Sequence, residues 1–225
     1  MEGFTHIVSL GYRCRTTQRL REHYGFKTAF PFDWWITPLA SAVRVLRDWD
    51  LDRLYDPARL REVRRWGRTI YVEHDDYRIR LQHEFPMDEA RRRVLPGWQS
   101  HIAEARTRTG HLMNKFGALD RKDRKVLFVR ELRAGEEGRA GRLGELREAV
   151  LAHAPKAEAR FLLISRRGVA ADGWTPLAID DPRAEPWTGT PEIWDAALAG
   201  LDFHLERPAG WGQRDAAQVV GVRAG

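Results

Sequence analysis

Hydrophobic positions recur along the chain with two periods, and each stretch predicts an element. His6-Ile7-Val8-Ser9-Leu10 is a short, mostly apolar run closed by Gly11, which predicts a first strand. Arg15 to Tyr24 then has the polar and apolar spacing of a helix, and Gly25 supplies a stop signal. Phe30-Pro31-Phe32-Asp33-Trp34-Trp35 is aromatic, broken by proline, and has no clear period. Thr37-Pro38 offers an N-cap and a first-turn proline, after which Leu39, Ala42, Val43 and Leu46 recur at helical spacing.

Further on, residues 68–73 and 77–85 predict two strands around the polar turn His74-Asp75-Asp76, with Tyr77, Ile79, Leu81 and His83 alternating onto one face. A long helical region is expected from about Asp88, divided or kinked at Pro96-Gly97. Val126 to Val129 fits a buried strand. A helix over 143–153 and a strand over 161–164 complete a β–α–β unit with an expected right-handed crossover. Residues 134–144 are rich in Gly, Arg and Glu and are expected to form a mobile loop; their glycines match neither phosphate-loop pattern. The part from Gly168 onward is expected to be irregular, with short strand-like pieces such as 177–179. The expected architecture is one layered α/β domain over 1–225, with a mainly parallel or mixed sheet and a strand-to-helix turn at Cys14.

Composition narrows the functional classes. Of 225 residues, 43% are hydrophobic and 31% charged, so the chain can fill a core and is not a disordered polymer. The net charge of +6 comes from 38 Lys+Arg, of which five are lysines, against 32 Asp+Glu. The arginines are interspersed with acids, as in Arg61-Glu62 and Arg147-Glu148, which reads as solvated helix faces, so nucleic acid is not the expected partner. No apolar run approaches the roughly 20 residues that span a bilayer, and the first residues lack the pattern of a signal peptide. The expected location is the cytoplasm, without membrane contact. A single cysteine, Cys14, excludes an intrachain disulfide, a CxxC pair and multi-cysteine metal centres. His74-Asp75-Asp76 has no standard ligand spacing, so neither a metal nor another cofactor is expected.

Cys14 is the leading chemical candidate. A strand, a glycine turn and a helix starting near the cysteine would place its sulfur at a helix N-terminus, where unpaired N–H groups favour a thiolate and can bind an oxyanion. The alternative is a small buried residue at a tight turn. His83 is a candidate base, and His204, with Asp202 two residues earlier, is another. Asp33, flanked by aromatic residues, is a candidate for orienting an imidazole; it could equally cap its turn or pair with an arginine. Trp34 could wall a substrate cleft beside Asp33. Arg130, at a predicted strand end, could bind an anionic substrate group or form a structural ion pair.

Val8-Ser9-Leu10-Gly11-Tyr12-Arg13-Cys14, Pro31-Phe32-Asp33-Trp34, Gln82-His83-Glu84-Phe85-Pro86 and Val126-Leu127-Phe128-Val129-Arg130 occur in this order. The pattern, over about residues 6–165, resembles a bacterial domain-of-unknown-function family described as papain-like cysteine peptidases. The resemblance implies Cys14 as nucleophile, His83 as its partner and Asp33 as an orienting acid. Two features depart from papain-type enzymes: no glutamine precedes Cys14, and the β–α–β order implies a layered domain in place of two lobes. The function expected is a thiol hydrolase or acyl-transfer enzyme acting on a peptide, ester or other acyl substrate. The alternatives are a polyanion-binding module, and a tailoring enzyme for a peptide or polysaccharide in which Cys14 is structural.

Overall fold

The computed structural model describes residues 2–65, 69–90, 92–133, 135–139, 141–181 and 188–206. In chain order the strands are β1 (Glu2–Phe4), β2 (His6–Ser9), β3 (Leu60–Arg65), β4 (Thr69–His74), β5 (Lys125–Glu131), β6 (Glu158–Ser165), β7 (Thr175–Ala178) and β8 (Phe203–Leu205). The helices are α1 (Cys14–Tyr24), α2 (Leu39–Asp48), α3 (Leu51–Leu54), α4 (Ile102–Gly117), α5 (Arg142–His153) and α6 (Pro191–Ala199).

A four-stranded, fully parallel sheet of order β2-β5-β6-β7 forms the centre of an α/β domain. Along β2, β5 and β6, which carry buried runs on both faces, alternation sends side chains to two separate cores. Ile7, Leu127, Val129, Leu162 and Ile164 face one core with Leu20 of α1 and Trp194 and Leu198 of α6. Val8, Val126, Phe128, Phe161 and Leu163 face the other with α2, α4 and α5. Phe128 and Phe161, in register on adjacent strands, stack with ring centroids 5.4 Å apart. Helices thus cover both faces, and α1, following β2, and α5, following β5, pack on opposite sides. Adjacent strands whose following helices diverge leave a crevice at their carboxyl ends.

Two smaller pairs complete the fold: β1 with β8, parallel, and β3 with β4, antiparallel. Helix α6 and β8 replace the irregular end expected from Gly168. The contribution of β8 is non-local, since its register sets Gly3 opposite His204.

The predicted strand over 77–85 does not form. Its residues make isolated bridges at Arg80 to Ile36 and Glu73, and His83 lies in a turn. The partner of β4 is instead Leu-Arg-Glu-Val-Arg-Arg of β3, whose charges mask its strand character. The expected long helix starts late, at Ile102, after a 3₁₀ turn Trp98–His101 entered through Gly97. The expected β–α–β unit is present as β5–α5–β6, with β5 and β6 paired in parallel. Phe128→Ala should lower stability by about 3–5 kcal/mol, measured as a shift of the urea unfolding midpoint with unchanged slope.

Candidate functional site

The carboxyl ends of β2 and β5 meet around a fully buried arginine. Arg130 is 0% exposed and donates from Nη1 to the Leu10 carbonyl at 2.8 Å and from Nη2 to Glu136 Oε2 at 3.3 Å. The other Glu136 oxygen accepts the Leu39 N–H at 2.7 Å, so this carboxylate caps α2. Thr37, the expected cap, is buried and its hydroxyl makes no hydrogen bond; its backbone N–H donates to the Tyr12 carbonyl. Gly11 has φ +84°, and a Cβ there would stand 3.1 Å from Arg130 Nη1, so glycine lets the guanidinium pass beneath the turn. Arg130 therefore does not present itself to a substrate; it is a structural ion pair. The segment 134–144, expected to be a mobile loop, includes the buried Glu136 and a 3₁₀ turn Glu137–Arg139.

Cys14 opens α1 directly beyond this turn. Arg13 is the N-cap residue and places no side-chain acceptor on the first N–H groups. The Cys14 and Arg15 N–H groups and the Arg13 charge act to stabilise a thiolate, but burial outweighs them and pushes the thiol up to about 11. The Glu131 charge acts in the same direction as burial. Glu131 itself is held by Arg15 and by the Thr16 hydroxyl at 2.5 Å, locking the first turn of α1 to the end of β5. Arg13 and Arg133 both lie over the Tyr12 ring, at 5.0 and 5.9 Å from its centroid. The roles of Glu131 and Tyr12 carry no local signal, because they depend on the pairing of β2 with β5.

Asp33 closes the 3₁₀ turn Pro31–Asp33 and is 2% exposed. Its oxygens accept from the Thr17 hydroxyl at 3.2 Å, Arg21 Nη2 at 2.9 Å and the Phe30 N–H at 2.9 Å. It thus fastens the Pro-Phe-Asp-Trp turn to α1 and makes no bond to His83. Burial raises its carboxyl to about 6, against the pull of Arg21. Arg21 also covers Trp34, 5.0 Å from the ring centroid.

His83 packs edge-to-face on Trp34 with centroids 5.6 Å apart, and no hydrogen bond joins it to Cys14. The Trp34–His83 pair stands beside Arg21, seven residues beyond Cys14 in α1. There Trp34, His83, Glu84, Arg108, His111 and Leu112 line a cleft of about 490 Å³. Glu84 is held by Trp35 Nε1 at 3.0 Å, and burial raises its carboxyl. His204 stands opposite Gly3, which precedes β2, whereas Cys14 lies beyond the other end of that strand. The Asp202 carbonyl accepts the Glu2 N–H. His74, expected to be a solvated turn residue, is buried: Nε2 bonds the Arg53 carbonyl and Nδ1 accepts the Tyr77 N–H. Among the described residues no cluster of three or more His, Cys, Asp or Glu could hold a metal. No helix among them is long and apolar enough to cross a membrane.

Two outcomes follow from these buried charges. Arg130→Met strips Glu136 of its counter-charge and should cost about 3–5 kcal/mol; adding Glu136→Gln should recover part of that loss in the same denaturant titration. For Asp33 the folded carboxyl titrates near 6 and the unfolded one near 3.8. Between these values the folded form keeps a proton that the unfolded form has lost, so this group's stabilising contribution is full below pH 4 and falls as pH rises through 6. The span corresponds to about 3 kcal/mol. Asp33→Asn should remove that component, seen as a smaller pH slope of unfolding free energy than in the unaltered protein.

The chain matches no family model, and no curated protein or solved structure is similar to it.

Proposed function

We propose that the protein is a cysteine-dependent hydrolase or acyl-transfer enzyme with Cys14 as its nucleophile. The observation that carries this reading is the place of Cys14 on the first turn of α1, beyond the carboxyl end of a parallel sheet. There the N–H groups that favour a thiolate are also suited to hold the oxyanion formed when an ester, thioester or amide carbonyl is attacked. The ordered Ser-Leu-Gly-Tyr-Arg-Cys and Pro-Phe-Asp-Trp motifs point to the same residue.

A thiol near 11 is almost wholly protonated at neutral pH, so the proton has to leave as attack occurs. Transfer to an ordinary carboxylate is uphill by about 9 kcal/mol and to an ordinary imidazole by about 6 kcal/mol. An imidazole is the better acceptor, and in this reading His83 turns from Trp34 toward the sulfur when substrate binds. Asp33, occupied by α1, positions the Pro-Phe-Asp-Trp turn and does not orient the base.

A second reading, in which Cys14 is structural, is favoured by its 8% exposure. Incubation with p-nitrophenyl acetate separates the two. Acetyl transfer to Cys14, detected by mass spectrometry, and nitrophenolate release should both vanish in Cys14→Ala. Unchanged release in that variant sinks the nucleophile. His83→Ala should slow turnover while leaving the pH profile of iodoacetamide labelling unaltered, with labelling rising about tenfold per pH unit up to pH 10. Equal turnover with and without the imidazole sinks its role as base.

A further inference from the structure

We propose that the cleft between Trp34 and α4 is a binding site for a neutral sugar ring. Cys14 is not among the residues that line it, and it does not rest on the thiol reading. Its volume, about 490 Å³, lies in the range of small-molecule sites.

Among the described residues, the charged side chains that line the cleft, Glu84 and Arg108, are paired with each other. Arg108 donates from Nη1 to Glu104 Oε1 at 2.5 Å and from Nη2 to the Glu84 carbonyl at 2.8 Å, with Glu84 Oε2 at 3.5 Å. Arg21, which covers the Trp34 ring, is paired with Asp33 at 2.9 Å. A charged ligand would lose its hydration here without meeting an uncompensated opposite charge. A neutral ligand loses far less.

The walls match a ligand with one apolar face and a polar edge. Trp34 and Leu112 are the apolar surfaces. Arg108, His111 and Leu112 stand at i, i+3 and i+4 on α4, so they share one face of the helix. His111 brings an imidazole, whose two nitrogens donate and accept, as a hydroxyl does. A pyranose presents this combination, with C–H groups on its faces and hydroxyls around its rim. The Pro-Phe-Asp-Trp turn and the His-Glu-Phe-Pro turn thus meet at a recognition surface.

Saturation-transfer NMR on the full chain tests the assignment, using methyl glucoside, methyl mannoside, methyl galactoside and N-acetylglucosamine, with phenylacetate as an anionic control. At least one sugar should receive transfer, strongest at ring C–H protons, and phenylacetate should receive none. Trp34→Ala should abolish the signal. His111→Ala, an exposed position that does not endanger folding, should weaken binding about fivefold. Cys14→Ala should leave it unchanged. Absence of transfer to all four sugars, preference for phenylacetate, indifference to His111→Ala, or loss in Cys14→Ala would each overturn the proposal.

Discussion

A guanidinium with no exposure at all sets the geometry of this molecule. Arg130 stands at the end of the strand in the middle of the sheet, and an unpaired charge there would be intolerable. Its partners are the Leu10 carbonyl and Glu136, and Glu136 in turn caps α2. One buried ion pair therefore joins β2, β5, the segment after β5 and the start of a helix on the opposite face from α1. Burial lowers the affinity of Arg130 for its proton, and the Glu136 carboxylate counters that loss. Such pairs contribute little net stability over an apolar substitute, but losing one partner is costly, and that asymmetry fixes the arrangement.

Around this anchor, α1 is held at both ends by carboxylates. Glu131 ties Arg15 and Thr16 to the sheet, and Asp33 ties Thr17 and Arg21 to the Pro-Phe-Asp-Trp turn. At the start of α1 is a buried thiol among N–H groups and arginines. Toward its end Arg21 covers Trp34, which lines a cleft with His83, His111 and the paired Glu84 and Arg108. The electrostatics differ for a plain reason. At the thiol, desolvation opposes the charged form and dominates, whereas at the cleft Glu84 and Arg108 are paired with each other.

Local signals were legible where one element carried its own evidence. The β2 run, the α1 stop at Gly25, the α2 stripe and the 126–129 and 161–164 strands follow from apolar spacing and glycine chemistry alone, and they imply the parallel α/β domain. The strand expected at 77–85 failed because alternation without a continuous ladder partner does not make a strand, and that stretch instead bridges Ile36 and Glu73 at a single residue. The β3 strand, with four charged residues in six, has no apolar period to detect. Likewise β8 exists because it pairs with β1, two hundred residues earlier.

The sequence by itself determined that Cys14 follows a strand and a glycine turn and begins a helix, and that the chain is an α/β protein with one thiol. These are properties of neighbouring residues, encoded in period and in backbone preference. Only the tertiary structure decided what surrounds the sulfur, that Arg130 is buried against Glu136, that Asp33 serves α1, and that His83 lies against Trp34. The expected arrangement of Cys14, His83 and Asp33 combined residues from three separate segments. Their mutual placement depends on how those segments pack, and packing is governed by long-range burial and charge pairing that no local pattern records.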